Sequence, residues 1–195
     1  MKKGTKKFAI VLMMALLTVV MAACGNNENA ENAGTEGDGL KIAIVTSPSG
    51  VDDGNFNEDN YNGILSFIEN NPTATVKAIR EETGDPAAAV QAVADIVADY
   101  DVIVTPGFQF AGVSTIALEN PDKMFIINDS EPTPVGDQTT FDNIYAMNFA
   151  EQESGFFAGM AAALETKSNK VAVVNGIAYP SNVNYQFGFE SGVNY

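Results

Sequence analysis

Few side chains in this sequence are equipped for bond-making chemistry. Among its 195 residues there is no histidine, no tryptophan and one cysteine, Cys24. A histidine-based triad and a site of His or Cys metal ligands are therefore not available. Carboxylates are the only general bases present, and no pair of acidic residues is set apart by its spacing. A carboxylate-only hydrolase stays open on these grounds, but no catalytic residue, metal ligand or cofactor is expected. The candidate ligand-binding side chains start in a long Gly-rich loop, residues 46–57, that reads TSPSGVDDGNFN. Phe56 can stack on a planar ligand through dispersion and quadrupole terms. Asn57 can both donate to and accept from the edge of a heteroaromatic base such as adenine. The local alternatives are a hydrophobic staple for Phe56 and a helix N-cap for Asn57. Ser47 and Asp53, in the same loop, are carried as further candidates. Asp129 ends an apolar run, where a carboxylate can accept both hydroxyls of a ribose or can cap a turn. Phe108, in Gly107-Phe108-Gln109-Phe110, is either a pocket wall or part of a packing cluster.

The elements that must position these residues alternate from residue 40 onward. LKIAIVT reads as a buried strand, and the spacing of Tyr61, Ile64, Leu65 and Ile68 suits a helix that Asn71-Pro72 closes. TATVKAI is a second strand. Asp85-Pro86 opens a helix as an N-cap followed by proline at the first helical position, continuing to about Asp99. DVIVT, a helix over residues 111–118, and KMFIIND follow. Four strand–helix steps in about 90 residues predict an α/β fold built on a doubly wound parallel sheet. NIYAMNF reads as another strand. A small-residue helix over residues 151–166 has Phe156, Phe157, Met160 and Leu164 available to pack. Residues 170–174 read as a further strand, and residues 186–195 as the opening of a helix. These last elements begin a second α/β unit. About 156 residues can bury a core as one domain, whereas a complete second lobe needs about 100 of its own, so the second lobe is expected to be partial. In an open parallel sheet, ligands sit beyond the carboxyl ends of the strands, where the loops that begin at Thr46, Thr105, Asp129 and Asn175 are expected.

The first 39 residues carry an address. Lys2, Lys3, Lys6 and Lys7 precede a run, residues 8–23, in which Thr18 is the only polar side chain. This is the pattern of a signal peptide, and at 16 residues it is shorter than the roughly 20 needed to span a bilayer as a helix. Met21-Ala22-Ala23-Cys24 resembles a bacterial lipobox, with Met21 where Leu or Val is usual, so lipidation of Cys24 is expected. Ordinary cleavage near Ala22-Ala23 is the alternative. One acyl chain holds only weakly, so the resemblance implies a thioether lipid with further acylation. Residues 25–39, GNNENAENAGTEGDG, have no aromatic or β-branched aliphatic side chain and read as a flexible tether.

Formal net charge is −15. Without residues 1–23 the chain loses four of its 10 Lys and Arg and none of its 25 Asp and Glu, which leaves −19. Such a field repels nucleic acid and anionic lipid head groups and favours a neutral or cationic small molecule. The six remaining cations, Lys41, Lys77, Arg80, Lys123, Lys167 and Lys170, do not cluster.

Five segments together resemble the basic membrane protein family of substrate-binding lipoproteins, the purine nucleoside receptors of ABC importers. They are DDGNFN at 52–57, PGFQF at 106–110, PDKMFIIND at 121–129, NIYAMNFAEQESGFFAGMAAALET at 143–166 and KVAVVNGIAYPSNVNYQFGFESGV at 170–193. The resemblance implies a type I periplasmic-binding-protein-like fold, two lobes closing on the ligand like a hinge, with NIYAMNF near the crossover. By position, Phe56 resembles the ring that stacks on the purine, Asn57 a base-edge contact, and Asp129 the carboxylate that holds the ribose hydroxyls. Ser47 stands where the family usually has Asp. The expected organisation is a signal peptide at 1–23, a tether at 24–39, an N-terminal lobe at 40–147 and a partial second lobe at 148–195. The implied partners are a purine nucleoside and an ABC permease, the implied location the extracytoplasmic face of the cell membrane through the lipid. A surface lipoprotein that senses or has a structural role, with the same fold, is the alternative.

Overall fold

The computed structural model describes residues 39–195; the signal segment, Cys24 and most of the tether lie outside the described residues. Five parallel strands form one sheet: β1 (Lys41–Thr46), β2 (Thr75–Arg80), β3 (Val102–Pro106), β4 (Met124–Asn128) and β5 (Ile144–Met147). Their order is β2-β1-β3-β4-β5. The helices are α1 (Phe56–Asn70), α2 (Pro86–Ile96), α3 (Ser114–Glu119), α4 (Glu151–Glu165) and α5 (Pro180–Asn194), with 3-10 turns at Val97–Asp99 and Phe108–Val113. This is the predicted α/β architecture. The chain leaves β1 toward one edge to make β2, then crosses to the other side to make β3. The strand order therefore reverses between β1 and β3, and a crevice opens beyond their carboxyl ends.

The apolar runs become buried strands because both faces of the sheet carry side chains into a core. Val45, Ile103, Phe125 and Ile127 meet Ala89 and Val93 of α2, and Val113, Ile116 and Ala117 near α3. Ile42, Ile44 and Val104 meet Ile64 of α1 on the opposite face. Register is tight in the middle of the sheet, where Ile44 lies opposite Val104 and Val104 opposite Ile126. Asp85 caps α2 as its sequence context predicts, its carboxylate accepting from the backbone N–H of Ala87 at 2.9 Å and Ala88 at 3.0 Å. Asn143 pins the approach to β5, its amide donating to the carbonyls of Ala117, Asn120 and Lys123.

Two readings are corrected by the structure. Residues 170–174 are not a strand; no strand of the described residues lies beside them to complete a ladder, and Val174 is 94% exposed, so the β-prone composition has nothing to pair with. The last helix begins at Pro180, not at residue 186, with proline in its first turn. Of the four apolar side chains expected to pack on α4, Phe157 and Leu164 are exposed while Phe156 and Met160 are half-buried, and the closest approach of α4 to α5 runs through Gly155 and Gly159 on one helix and Gly188 and Gly192 on the other. A Cβ on Gly159 would stand 2.1 Å from the Phe189 carbonyl oxygen, and one on Gly192 1.9 Å from that of Phe156. The helices touch backbone to backbone.

Candidate functional site

The crevice at the strand-order reversal is built by three loops. The first leaves β1 after Thr46, turns through a hydrogen bond from Gly50 N–H to the Ser47 carbonyl, and ends at α1. Asp53 organises its far end. One carboxylate oxygen accepts from the N–H groups of Asn55 at 3.0 Å and Glu58 at 3.1 Å; the other accepts from the Asn57 N–H at 3.3 Å and the Asn57 side-chain amide at 3.0 Å. Asp53 thus serves the unpaired N–H groups at the start of α1. Burial pushes its carboxyl upward, but the hydrogen bonds from Glu58, Asn55 and Asn57 outweigh that and hold it below the ordinary 3.8.

Asn57 is therefore not the N-cap. It lies inside the first turn of α1 and is buried, and its amide nitrogen donates to both Asp53 and the Ser47 hydroxyl, the latter at 3.0 Å. Both N–H groups are committed within the protein, so what Asn57 can offer a ligand is its carbonyl oxygen. Ser47, accepting from Asn57, keeps its own O–H to donate. Phe56 stands at the rim, 38% exposed, as a large ring half-open to solvent.

The second loop begins at Gly107, whose φ of 109° is one that a side chain would rarely adopt; a Cβ there would also meet the Gln109 amide at 2.5 Å. The turn aims Phe108 across the crevice, where it stacks on Tyr179 with ring centroids 3.5 Å apart and planes at 28°. The third loop starts with Asp129, whose φ of 61° is left-handed, a conformation that Asp tolerates better than most residues. Its N–H donates to the Met147 carbonyl at 2.8 Å. Burial first, and the charge of Glu151 second, raise its carboxyl above the ordinary 3.8.

Ser47, Asp53, Phe56, Asn57, Phe108 and Asp129 all line one cavity of about 340 Å³. Among the described residues, no Lys or Arg lines it. The arrangement offers aromatic rings for a planar group, the Asn57 oxygen and Asp129 carboxylate as acceptors, and the Ser47 hydroxyl as a donor. A neighbouring cavity of about 440 Å³ shares Phe108 and Asp129 and adds Glu131, Asn148, Glu151 and Tyr179.

Sequence reasoning passed over Tyr179 and Glu151, because each sits at a helix start with no local signal that the fold brings it to the crevice. It also passed over Glu81, which is buried after β2. The Glu81 carboxylate accepts from the Thr83 hydroxyl at 2.6 Å and from the N–H groups of Thr83 and Gly84. The Thr83 hydroxyl bond is the main cause that holds its carboxyl below the ordinary 4.5. Gly84, so fixed, lines the smaller cavity.

Residues 40–195 match the family described as Bmp, ABC transporter substrate-binding protein PnrA-like. The ABC transporter nucleoside-binding protein BmpA of Lactococcus lactis subsp. cremoris is 28% identical, over 96% of this chain and 53% of its own length. Basic membrane protein A of Borreliella burgdorferi is 26% identical, over 95% of this chain and 52% of its own. The chain thus spans about half the length of the relatives it matches. Among solved structures, ABC transporter solute-binding proteins from Aeropyrum pernix K1 align with a TM-score of 0.64 at 20% identity, covering 80% of this chain and 43% of theirs. One from Burkholderia multivorans aligns with a TM-score of 0.56 at 16% identity, covering 81% and 57%. These two likenesses concern the fold.

Proposed function

The chain belongs to the PnrA-like family of ABC transporter substrate-binding proteins, and we propose that within it this protein is an extracytoplasmic lipoprotein that captures a purine nucleoside for import. The observation that carries the ligand class is the gathering of two phenylalanine rings, the Asn57 oxygen, the Ser47 hydroxyl and the Asp129 carboxylate around one cavity. A purine needs a stacking face and edge partners, and a ribose diol needs an acceptor of two hydroxyls. The relative named as a nucleoside-binding protein supports the same class.

In this reading Phe56 and Phe108 present rings, Asn57 accepts from the base edge, Ser47 donates to it, and Asp129 accepts from the ribose. Asp53 holds Asn57 and the loop in place and acts on the ligand through them. The ligand lies between an N-terminal lobe, residues 40–147, and a second lobe of which residues 148–195 form part. Among the described residues no helix is long and apolar enough to cross a membrane; attachment falls to a lipid on Cys24, with residues 24–39 as the tether. The protein transfers its solute to an ABC permease and performs no chemistry on it.

Titration calorimetry of the protein with adenosine, guanosine and inosine tests the ligand class, with saturable one-to-one heat expected for at least one of them. No heat with any of the three would sink it. Mass spectrometry of the membrane-bound form would show diacylglyceryl mass on Cys24, and an unmodified thiol would refute the anchor. The second reading, a surface sensor without transport, is motivated by Ser47 standing where the family usually has a carboxylate. Neighbouring genes for a permease and an ATPase favour the receptor; their absence favours the sensor.

A further inference from the structure

The hydrogen-bonding pattern that the crevice shows a base is set one residue back from the ligand, at Asp53. A side-chain amide has one donating end and one accepting end, and its partners decide which way it lies. The Asn57 amide nitrogen is 3.0 Å from an Asp53 carboxylate oxygen and 3.0 Å from the Ser47 hydroxyl oxygen. Turning the amide over would set its carbonyl oxygen against that carboxylate, acceptor against acceptor, in a residue only 4% exposed. The carboxylate cannot swing aside. It also receives the Asn57 backbone N–H at 3.3 Å, and its other oxygen receives the N–H groups of Asn55 and Glu58.

Resting on the nucleoside reading above, the geometry points to a narrower ligand: a 6-aminopurine nucleoside, selected over the 2-amino-6-oxopurine one by Asp53, Asn57 and Ser47 acting in series. With both amide hydrogens spent, Asn57 has only its oxygen to offer, and Ser47, accepting from Asn57, has its O–H. Both line the cavity that Phe56 also lines, so a stacked base meets one acceptor beside one donor. Adenine carries a donating 6-amino group with an accepting ring nitrogen on either side of it. Either of its edges therefore gives the amino group to Asn57 and the ring nitrogen to Ser47. Guanine shows two acceptors on one edge and, on the other, an acceptor followed by two adjacent donors. Two donors call for two acceptors, and the Ser47 oxygen is already taken by Asn57. The 2-amino group then gives up its water without gaining a partner. Hypoxanthine lacks that group, has one matching edge, and falls between.

Titration calorimetry of the full chain with adenosine, inosine, guanosine and 6-dimethylaminopurine riboside tests the selection. Adenosine is expected to bind about tenfold more tightly than guanosine, the cost of one polar group left unpaired. Inosine should lie between them. Dimethylation removes the donor that Asn57 accepts and should cost adenosine about the same factor. Ser47→Asp turns the donor into an acceptor and should reverse the order of adenosine and guanosine. Ser47→Ala removes the donor alone and should bring adenosine down toward guanosine. Asp53→Asn frees the Asn57 amide to turn over, so the ratio of the two affinities should fall toward one. A purely structural Asp53 would weaken both ligands alike and keep the ratio. Guanosine binding as tightly as adenosine, the dimethyl compound matching adenosine, or an unchanged ratio in either Ser47→Asp or Asp53→Asn overturns the inference and leaves the nucleoside site standing. No binding by any of the four sinks the nucleoside reading and this inference with it.

Discussion

At the scale of single residues, the crevice assigns different work to neighbours that look alike in sequence. Asp53 and Asp129 are both loop carboxylates, yet Asp53 accepts four hydrogen bonds from its own loop and is held low, while Asp129 is raised, by burial first and by the charge of Glu151 second. The raised group is the one with capacity left for a ligand. If Asp129 accepts two ribose hydroxyls, binding requires its ionised form, so nucleoside affinity should fall on acidification, beginning at a pH above the ordinary 3.8. Asp129→Asn should weaken binding by about 1.5–3 kcal/mol, the range for hydrogen bonds to a charged group, and abolish that pH dependence. The sign for stability is opposite. A carboxyl raised in the fold contributes stability below its unfolded value and loses it as pH rises through the folded one. Asn also tolerates the left-handed backbone, so thermal melting at pH 7 should leave Asp129→Asn at least as stable as wild type. Phe56 is exposed enough that its removal costs little packing. Phe56→Ala should therefore weaken nucleoside binding by roughly 1–3 kcal/mol, as for an aromatic platform under a base, with little change in melting temperature; unchanged affinity on calorimetry would return Phe56 to a packing role.

At the scale of elements, what could be read from sequence follows what is local. β1, β3 and β4 announce themselves as short apolar runs between turn residues, and α2 by Asp85-Pro86, because burial on both faces and an N-cap leave their mark in consecutive residues. The alternation predicted the parallel sheet, and its strand ends pointed to the loops that carry Phe56, Asn57 and Asp129. The strand expected at residues 170–174 failed because a strand is a pairing, and Val171 or Val173 says nothing of whether a partner lies alongside. The roles of Asp53 and Glu81 were hidden because a carboxylate that folds its loop around itself looks in sequence like any solvated acid. The contact between α4 and α5 was hidden for a related reason: glycine at i and i+4 does not stand out as a packing face until the partner helix arrives. The same substitution should then have opposite effects in two helices. Gly159→Ala puts a methyl 2.1 Å from the Phe189 carbonyl oxygen, forcing α4 and α5 apart at a cost of about 1–3 kcal/mol, as overpacking does. Gly63→Ala meets open space in α1 and should gain up to about 1 kcal/mol of helix propensity. Denaturant melts of the two variants check both signs, and a Gly159→Ala variant as stable as wild type would contradict the close helix contact.

At the scale of the whole molecule, charge is the property that no single loop explains. The chain carries −15, or −19 without residues 1–23, and among the described residues no Lys or Arg lines the crevice that gathers the six candidate side chains. If the protein is the cell-surface nucleoside receptor proposed above, it meets phosphorylated and unphosphorylated forms of the same base and sugar. This field opposes the phosphorylated form throughout its approach as well as in the site, because acidic groups spread over the surface repel an anion before it reaches the cavity. Asp129 and Glu151 add a local share, standing close enough for one to shift the titration of the other. Adenosine should therefore bind at least about tenfold more tightly than adenosine monophosphate in low salt, and the gap should narrow as ionic strength rises and the Debye length falls from about 30 Å at 0.01 M to about 8 Å at 0.15 M. The adenosine affinity itself should move little with salt, since the nucleoside is neutral. Calorimetric titrations of both ligands across that salt range decide the matter. Equal affinities at low salt would mean that a cation, beyond the residues that line the described cavity, reaches the ligand. A gap that persists unchanged at high salt would assign the discrimination to close contacts in the cavity and leave the overall field without a role in selection.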